Sequence, residues 1–260
     1  REHTFGSQYV IACVDEIAGD GSYYEGDYTF GVIGESFLAG CWLWRVATDE
    51  DPFLACGNLQ SLSTYYLYEL FAKNGPGAGA FLSGSKQGDS KSHTSPAAPV
   101  RRAMHAVAHV YGDGRAEWLA DEVVRQGLGY INRYERWLYI IYHDTSVVPQ
   151  PPADLPDAWH FNDMGTVYMR SGWDYSEFSN DVYAVFRCEA MNAGHTNAHQ
   201  NHLLIARGSD LLAIDSGVYD GGTSSHHLNY FQRTIAHNTV TVYDPSETTF
   251  GPYSNDGGQI

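Results

Sequence analysis

Six of the twelve histidines lie close together in the sequence, between residues 195 and 237. Three of them fall within GHTNAHQNH, residues 194–202, and the others are His226, His227 and His237. A neutral imidazole binds metals, and its pKa lies near physiological pH, so this cluster predicts a metal site or an acid–base site. A single histidine at the start of a strand is more often a hydrogen-bonded structural residue. It is the clustering that favours a functional site.

Alternation along an extended strand would divide the residues of GHTNAHQNH between two faces. Residues two apart share a face, so we expect His195, Asn197 and His199 to point together. By the same alternation His202 points to the other side. We therefore expect His202 to take no part in a site that the other residues form.

Two further residues come from neighbouring segments of the same predicted sheet. Asp215 ends LLAID, which follows a turn at Gly208 and would return as a hairpin beside residues 194–202. His237 begins HNTVTVYD, which alternates like another strand. Two imidazoles and one carboxylate, here those of His199, His237 and Asp215, form a ligand set that suits zinc.

The elements that must position these residues differ between the two halves of the chain. Apolar residues recur at helical spacing in the first half. A Gly/Ser-rich loop over 78–98 separates the second of these segments from the third. The helices are predicted over 30–48, 58–73, 99–112, 114–131 and 133–144.

The second half of the chain follows a proline-rich stretch and alternates with a period of two. Residues 147–159 contain four prolines, which is typical of a stiff linker. We predict an α+β protein with a helical domain over 1–147, a linker over 148–157 and a β domain over 158–260. The strand segments are MGTVYMRSGWD, DVYAVFRCEAM, HLLIARGSDLLAIDSG and HNTVTVYDP.

The composition argues against several functional classes. The formal net charge of −16 and the pI of about 5.0 argue against nucleic-acid binding and against adhesion to anionic membranes. No apolar run reaches the roughly 18 residues of a membrane-spanning helix. The cysteines form no CxxC pair, which argues against a cysteine-ligated zinc site. Abundant tyrosine and tryptophan suit sugar binding as well as interfaces.

A second group of reactive residues lies in DGSYYEGDYTF, residues 20–30. Tyr23, Tyr24, Glu25 and Tyr28 precede the first long predicted helix, and loops at helix starts often carry functional groups. The same residues would also suit a structural turn with packed aromatic rings.

Four motifs in order resemble the heparinase II/III-like polysaccharide lyases, a superfamily that also includes exolytic alginate lyases. They are, in chain order, YMRSGWD, GHTNAHQNH, LLAIDSGVYDG and AHNTVTVYDPSET, and the similarity extends over most of 158–250. The resemblance implies a partial (α/α) toroid followed by an antiparallel β-sandwich, as the later toroid and early sandwich of a longer enzyme. It also implies a periplasmic or secreted protein that cleaves uronic-acid glycans by β-elimination.

The resemblance also implies roles for individual residues. β-Elimination needs a base for the proton beside the uronate carboxylate, an acid for the leaving oxygen, and groups that neutralise the carboxylate. The family tyrosine matches Tyr28 best, with Tyr23 and Tyr24 as alternatives, and the family histidine that faces substrate matches His195. Residues expected to contact substrate or to orient the tyrosine are Glu25, Tyr24, Tyr219, His226 and Arg233.

The family's metal set is matched only in part. Asp215 ends LAID and His237 begins the HN pair, as in the family. Asn197 stands where the family has a second histidine, and an amide oxygen is a poor zinc ligand. His199 could replace it from the same strand face, so the resemblance implies a structural zinc held by His199, Asp215 and His237.

Two other functions are compatible with the residues. Closely spaced histidines on strands also suit a cupin-like metal-dependent enzyme, although such a barrel needs no helical half. The aromatic content also suits a glycan-binding protein without catalysis. The expected partner is an anionic polysaccharide or oligosaccharide, of the heparin, heparan sulfate or alginate type, with no nucleic acid and no membrane. The oligomeric state, a dimer included, stays open.

Overall fold

The computed structural model describes residues 19–23, 37–55, 57–75, 78–84, 97–125, 136–176, 179–189 and 196–240. These residues form two compact units. One unit draws on 1–23, 28–70 and 95–155 and is helical, and the other draws on 24–27, 71–94 and 156–260 and contains the main sheet. Helices together with an antiparallel sheet confirm the predicted α+β class.

Six α-helices are described, together with a 3-10 turn at Gly57–Ser61. None of the helices in the described part of the chain is long and apolar enough to cross a membrane. In chain order they are α1 Leu38–Ala47, α2 Pro52–Ala55, α3 Leu62–Glu69, α4 Ala97–Tyr111, α5 Gly114–Arg125 and α6 Arg136–Tyr142.

The sequence between α4 and α5 makes these helices an antiparallel pair. Gly112 takes a positive φ of 67°, which suits a residue after a helix end. The Asp113 carboxylate then accepts the backbone N–H groups of Arg115 and Ala116, at 2.8 and 3.2 Å, as the cap of α5. The facing surfaces are apolar and contain small residues, which let the two helices pack closely; they include Ala103, Met104, Val107, Ala116, Leu119, Ala120 and Val123.

The predicted helix over 58–73 is wrong at its end. The α-helix ends at Glu69, and Leu70–Gly75 forms strand β1, which pairs with strand β2 at Ala78–Gly84. That second strand lies in the predicted Gly/Ser-rich loop. A short apolar run has no period that separates helix from strand, and the Asn-Gly-Pro sequence after it is equally a turn between two strands.

The main sheet is a five-stranded antiparallel meander in which each strand pairs with the next in the chain. Three of the four predicted strand segments are confirmed, and the segment over 202–217 forms two strands. The described part of HNTVTVYDP, residues 237–240, is not a strand. The strands are β3 Ala158–Phe161, β4 Thr166–Arg170, β5 Val182–Arg187, β6 His202–Arg207 and β7 Asp210–Ala213.

One face of β4, β5 and β6 is buried, and its residues form rows across the strands. The middle row is apolar and contains Tyr168, Val185 and Leu204, which are direct partners in the register. The row at one end is polar, because Thr166 pairs with Arg187 and Arg187 pairs with His202. Strand alternation therefore brings three polar side chains together at the edge of an apolar core.

The hairpin of β6 and β7 depends on Gly208. Its φ is +52°, and a Cβ atom there would lie 2.2 Å from the carbonyl oxygen of Ser179. Its own N–H donates to the Asp181 carbonyl oxygen at 2.9 Å. Only glycine fits so close an approach. The turn returns the chain beside β6, and Asp215 follows two residues after β7.

Candidate functional site

The candidate site is built around the polar row of the sheet. Thr166, Arg187 and His202 are all fully buried. A charged guanidinium in such a place requires partners that replace its water. Two carboxylates, Glu189 and Asp215, supply them, and both are themselves buried.

Glu189 lies two residues beyond Arg187, on the same alternating face. Its Oε1 accepts the Thr166 hydroxyl at 2.6 Å and is 3.9 Å from Arg187 Nε, and its Oε2 is 2.9 Å from His199 Nε2. Burial alone would raise the pKa of this carboxyl. The pairing with His199, the charge of Arg187 and the Thr166 hydroxyl outweigh burial and lower the pKa to about 2. Glu189 is therefore an anion that the fold holds in place.

Asp215 forms the second part of the cluster. Its Oδ1 lies 2.7 Å from His237 Nδ1 and 3.2 Å from His202 Nε2. Burial would raise the pKa of Asp215, but the His237 hydrogen bond and the charge of Arg187 lower it well below its ordinary value. The aspartate is thus also ionised inside the protein.

The histidines beside Asp215 are held neutral by burial. Burial lowers the pKa of His202 to about 3, against the attraction of Asp215. Burial likewise lowers the pKa of His237. The backbone N–H of Asn238 donates to His202 Nδ1 at 3.1 Å, so neutral His202 carries its proton on Nε2, the nitrogen nearer Asp215. His237 Nε2 is buried and makes no hydrogen bond among the described residues.

The fixed charges of this cluster do not balance. Two carboxylates, Glu189 and Asp215, share one guanidinium, that of Arg187. One further positive charge, either a proton on an imidazole or a bound cation, would balance the second carboxylate. The site is therefore suited to hold a cation or a proton.

The structure rearranges the predicted metal set. It brings Asp215 and His237 together, but the Nε2 of His199 faces Glu189, and its ring centroid lies 5.6 Å from that of His237. The expectation that His202 points away is wrong. Asn201 has a positive φ of 60°, which interrupts the alternation of side chains between the two faces. A new alternation begins at His202, the first residue of β6, and it places the His202 side chain on the buried face.

The residues present suit a metal in type and spacing. His202, Asp215 and His237 each offer one ligand atom within 4.8 Å of the others, and all three are buried. Imidazole and carboxylate are groups that zinc accepts. For His202 the fit has a condition. The proton on its Nε2 would have to move to Nδ1, which accepts the Asn238 N–H in the structure, so metal binding would break that hydrogen bond.

Three of the predicted substrate-binding residues, Tyr219, His226 and Arg233, lie on the segment between β7 and His237. The ring of Tyr219 meets that of His227 edge-on at 5.0 Å, and exposed His226 lies 5.6 Å from the Tyr230 ring. Arg233 is half-buried and follows the π-helical turn His227–Phe231. Together they place aromatic rings, an imidazole and a guanidinium on one short segment.

Several predicted residues lie outside the described part of the chain. They are the proposed catalytic pair Tyr28 and His195, and the neighbouring Tyr24 and Glu25. Their roles stay predictions.

Comparison with known protein families identifies the part of the chain that contains the cluster. Residues 153–257 match the family described as Heparinase II/III-like, C-terminal. The region is similar to that family, and the match confirms the resemblance found in the sequence. The comparison with curated proteins finds no match.

Solved structures extend the likeness in fold beyond this heparinase II/III-like region. A crystal structure of heparinase III is 15% identical, with a TM-score of 0.61, over 91% of this chain and 34% of that one. Heparan sulfate lyase HepC from Pedobacter heparinus is 14% identical, with a TM-score of 0.61, over 91% of this chain and 32% of that one. At such identity the likeness concerns the fold alone, and the chain spans about a third of these proteins.

Sequence reasoning missed two charged residues of the heparinase II/III-like region. In DVYAVFRCEA, Tyr183, Val185, Arg187 and Glu189 are spaced by two and share one face. Arg187 and Glu189 continue the same every-second-residue pattern as the buried apolar residues before them. This pattern predicts that both charged side chains are buried, and it is visible in the sequence.

Replacing Glu189 with glutamine should destabilise the protein by about 3 kcal/mol near neutral pH, because the buried Arg187 guanidinium loses its counter-charge and His199 loses its carboxylate partner. Urea unfolding measures this loss of stability, with the exposed Asp210→Asn as the control.

The pKa of Glu189 falls from 4.5 to about 2 on folding, so the stability that Glu189 contributes is present above pH 4.5 and is lost as the pH falls through about 2. The wild type should therefore lose stability more steeply than Glu189→Gln over that interval. Equal slopes for the two proteins would contradict this assignment.

Proposed function

We propose that the protein containing this chain is a polysaccharide lyase that cleaves uronic-acid glycans by β-elimination. The observation that carries the proposal is the match of residues 153–257 to the heparinase II/III-like family. The likeness in fold to heparinase III and to heparan sulfate lyase HepC supports it and makes heparan sulfate and heparin the first substrates to test, followed by alginate. A periplasmic or secreted location is part of the same proposal.

The proposed chemistry divides between residues of two kinds. Tyr28 would take the proton beside the uronate carboxylate or protonate the leaving oxygen, with His195 next to it. A phenol has an ordinary pKa of about 10, so it needs polar or cationic neighbours to act as a base. Tyr24 and Glu25 would orient the tyrosine.

The remaining residues would bind the sugar. The Arg233 guanidinium can form two parallel hydrogen bonds to a carboxylate or sulfate, and a local cation is needed on a chain with a formal net charge of −16. Tyr219 and His226 offer ring faces on the same segment as Arg233. Aromatic faces suit the apolar side of a sugar ring.

The lyase proposal is tested by the ultraviolet absorbance of the C4–C5 double bond in the product. Full-length protein should generate this absorbance with at least one of heparan sulfate, heparin, alginate, hyaluronan and chondroitin. Tyr28→Phe should lower kcat by at least about 100-fold, because it removes the group that transfers the proton. Arg233→Gln should raise KM, while the exposed Arg207→Gln serves as the matched control.

Each outcome of this test has a distinct meaning. If no glycan yields unsaturated product, lyase activity on these substrates is refuted. Retained glycan binding in that inactive protein would instead support a binding function. If Tyr28→Phe keeps full activity, the tyrosine assignment is wrong.

We further propose that His202, Asp215 and His237 hold a structural divalent metal ion such as zinc. His202 replaces the predicted His199 because His199 pairs with Glu189. When bound, a divalent ion would neutralise the second buried carboxylate and leave one positive charge in excess. These side chains would join β6 to the segments that follow β7, and so brace the substrate-binding segment.

Zinc binding at this site should release no proton from its ligands, because Asp215 is already ionised and burial keeps His202 and His237 neutral. Calorimetry in buffers of different ionisation enthalpy counts the protons released, and one proton per zinc would contradict these protonation states. His202→Ala should lose one zinc per chain by elemental analysis, and His199→Ala should keep it. The reverse result would restore the ligand set predicted from sequence, and wild-type protein without zinc after exposure to the metal would refute the site.

A further inference from the structure

We infer that His105, Glu117 and His143 of the helical unit form a second divalent metal site, of the class that zinc occupies. The three residues come from different elements: His105 from α4, Glu117 from α5, and His143 from the position directly after α6. One ligand atom from each lies within 4.8 Å of the others. This site is independent of the proposed lyase activity and of the cluster around Asp215.

The distances match those between ligands of one small cation. His105 Nδ1 lies 3.1 Å from Glu117 Oε2, and His143 Nδ1 lies 3.5 Å from Glu117 Oε1. Ligands that bind zinc at roughly 2.0–2.2 Å in tetrahedral geometry are separated by roughly 3.3–3.6 Å. Both nitrogens thus lie about one ligand spacing from the same carboxylate.

Among the described residues, hydrogen bonding leaves one nitrogen that faces Glu117 without a partner. His143 Nδ1 is buried and makes no hydrogen bond there, although Glu117 Oε1 lies 3.5 Å from it. His105 Nδ1, in contrast, lies at hydrogen-bond distance from Glu117. A buried nitrogen in this situation is costly unless something else binds it, and a cation would bind the lone pair that faces Glu117.

Aromatic rings pack against both histidines, and the His143 side chain is partly exposed. The ring of Tyr139 stacks on His143 at 5.0 Å and meets His105 edge-on at 5.2 Å. The Arg101 guanidinium lies over the same tyrosine ring, 4.4 Å from its centroid, so a cation packs on Tyr139 as well. The His143 side chain is 32% exposed, which gives an ion access and leaves room for a water ligand.

Two imidazoles and one carboxylate favour zinc and related transition metals over calcium or magnesium, which prefer oxygen ligands. A bound ion would link α4, α5 and the end of α6. Its expected effect is therefore to stabilise the helical unit.

The chain provides a matched control one helical turn away. His109 lies four residues after His105, and its Nδ1 is 3.4 Å from Asp144 Oδ2. This pair is also a histidine beside a carboxylate, but it is half-exposed, and no second imidazole joins it as a possible metal ligand among the described residues. His109→Ala therefore removes a similar contact without removing a proposed ligand.

The test is a zinc count on purified full-length protein, stripped with a chelator, exposed to zinc chloride and dialysed. His143→Ala should lower the count by one zinc per chain relative to wild type, whatever the Asp215 cluster binds, and His109→Ala should not. Circular dichroism checks that each variant is folded. Glu117→Gln is a second variant that removes a proposed ligand. Loss of a ligand should weaken zinc binding by more than the 10- to 100-fold that loss of an outer-shell partner costs.

Thermal unfolding provides a second measurement. Zinc should raise the Tm of the wild type more than that of His143→Ala. An unchanged zinc count in folded His143→Ala, or an equal loss in His109→Ala, would overturn the site. A wild-type protein that binds no zinc at all would also overturn it and would leave Glu117 only as the hydrogen-bond partner of His105.

Discussion

The burial of two carboxylates beside a single guanidinium determines the arrangement of the sheet unit. Glu189 and Asp215 would destabilise the core unless each were paired, and Arg187 supplies only one positive charge. The strand register places Arg187 between Thr166 and His202. The proposed cation, or a proton on an imidazole, would neutralise the second carboxylate.

The fold class and part of the site could be predicted because they depend on regular alternation. The strands of the heparinase II/III-like region and the turn at Gly208 follow from a period of two and from turn chemistry. His202 could not be placed in this way, because the positive φ of Asn201 restarts the alternation. The β1–β2 pair was missed because a short apolar run has no distinguishing period.

The sequence shows which segments contain the histidines, but it does not predict which side chains the histidines contact. The sequence places His199 two residues from Asn197, but it does not show that Glu189 lies within 2.9 Å of its Nε2. The same limit applies to the helical unit, where His105 and Glu117 are twelve residues apart and meet through the α4–α5 turn. Such pairs depend on tertiary packing, which sequence spacing alone does not give.

The central claim is that a glycosidic bond is broken by elimination and not by water. Mass spectrometry of products formed in water labelled with heavy oxygen tests it, because elimination forms no bond to a water oxygen, whereas hydrolysis adds one at each cleaved bond. We expect unsaturated products without the label from full-length protein acting on a uronic-acid glycan. One labelled oxygen per cleaved bond would contradict the claim.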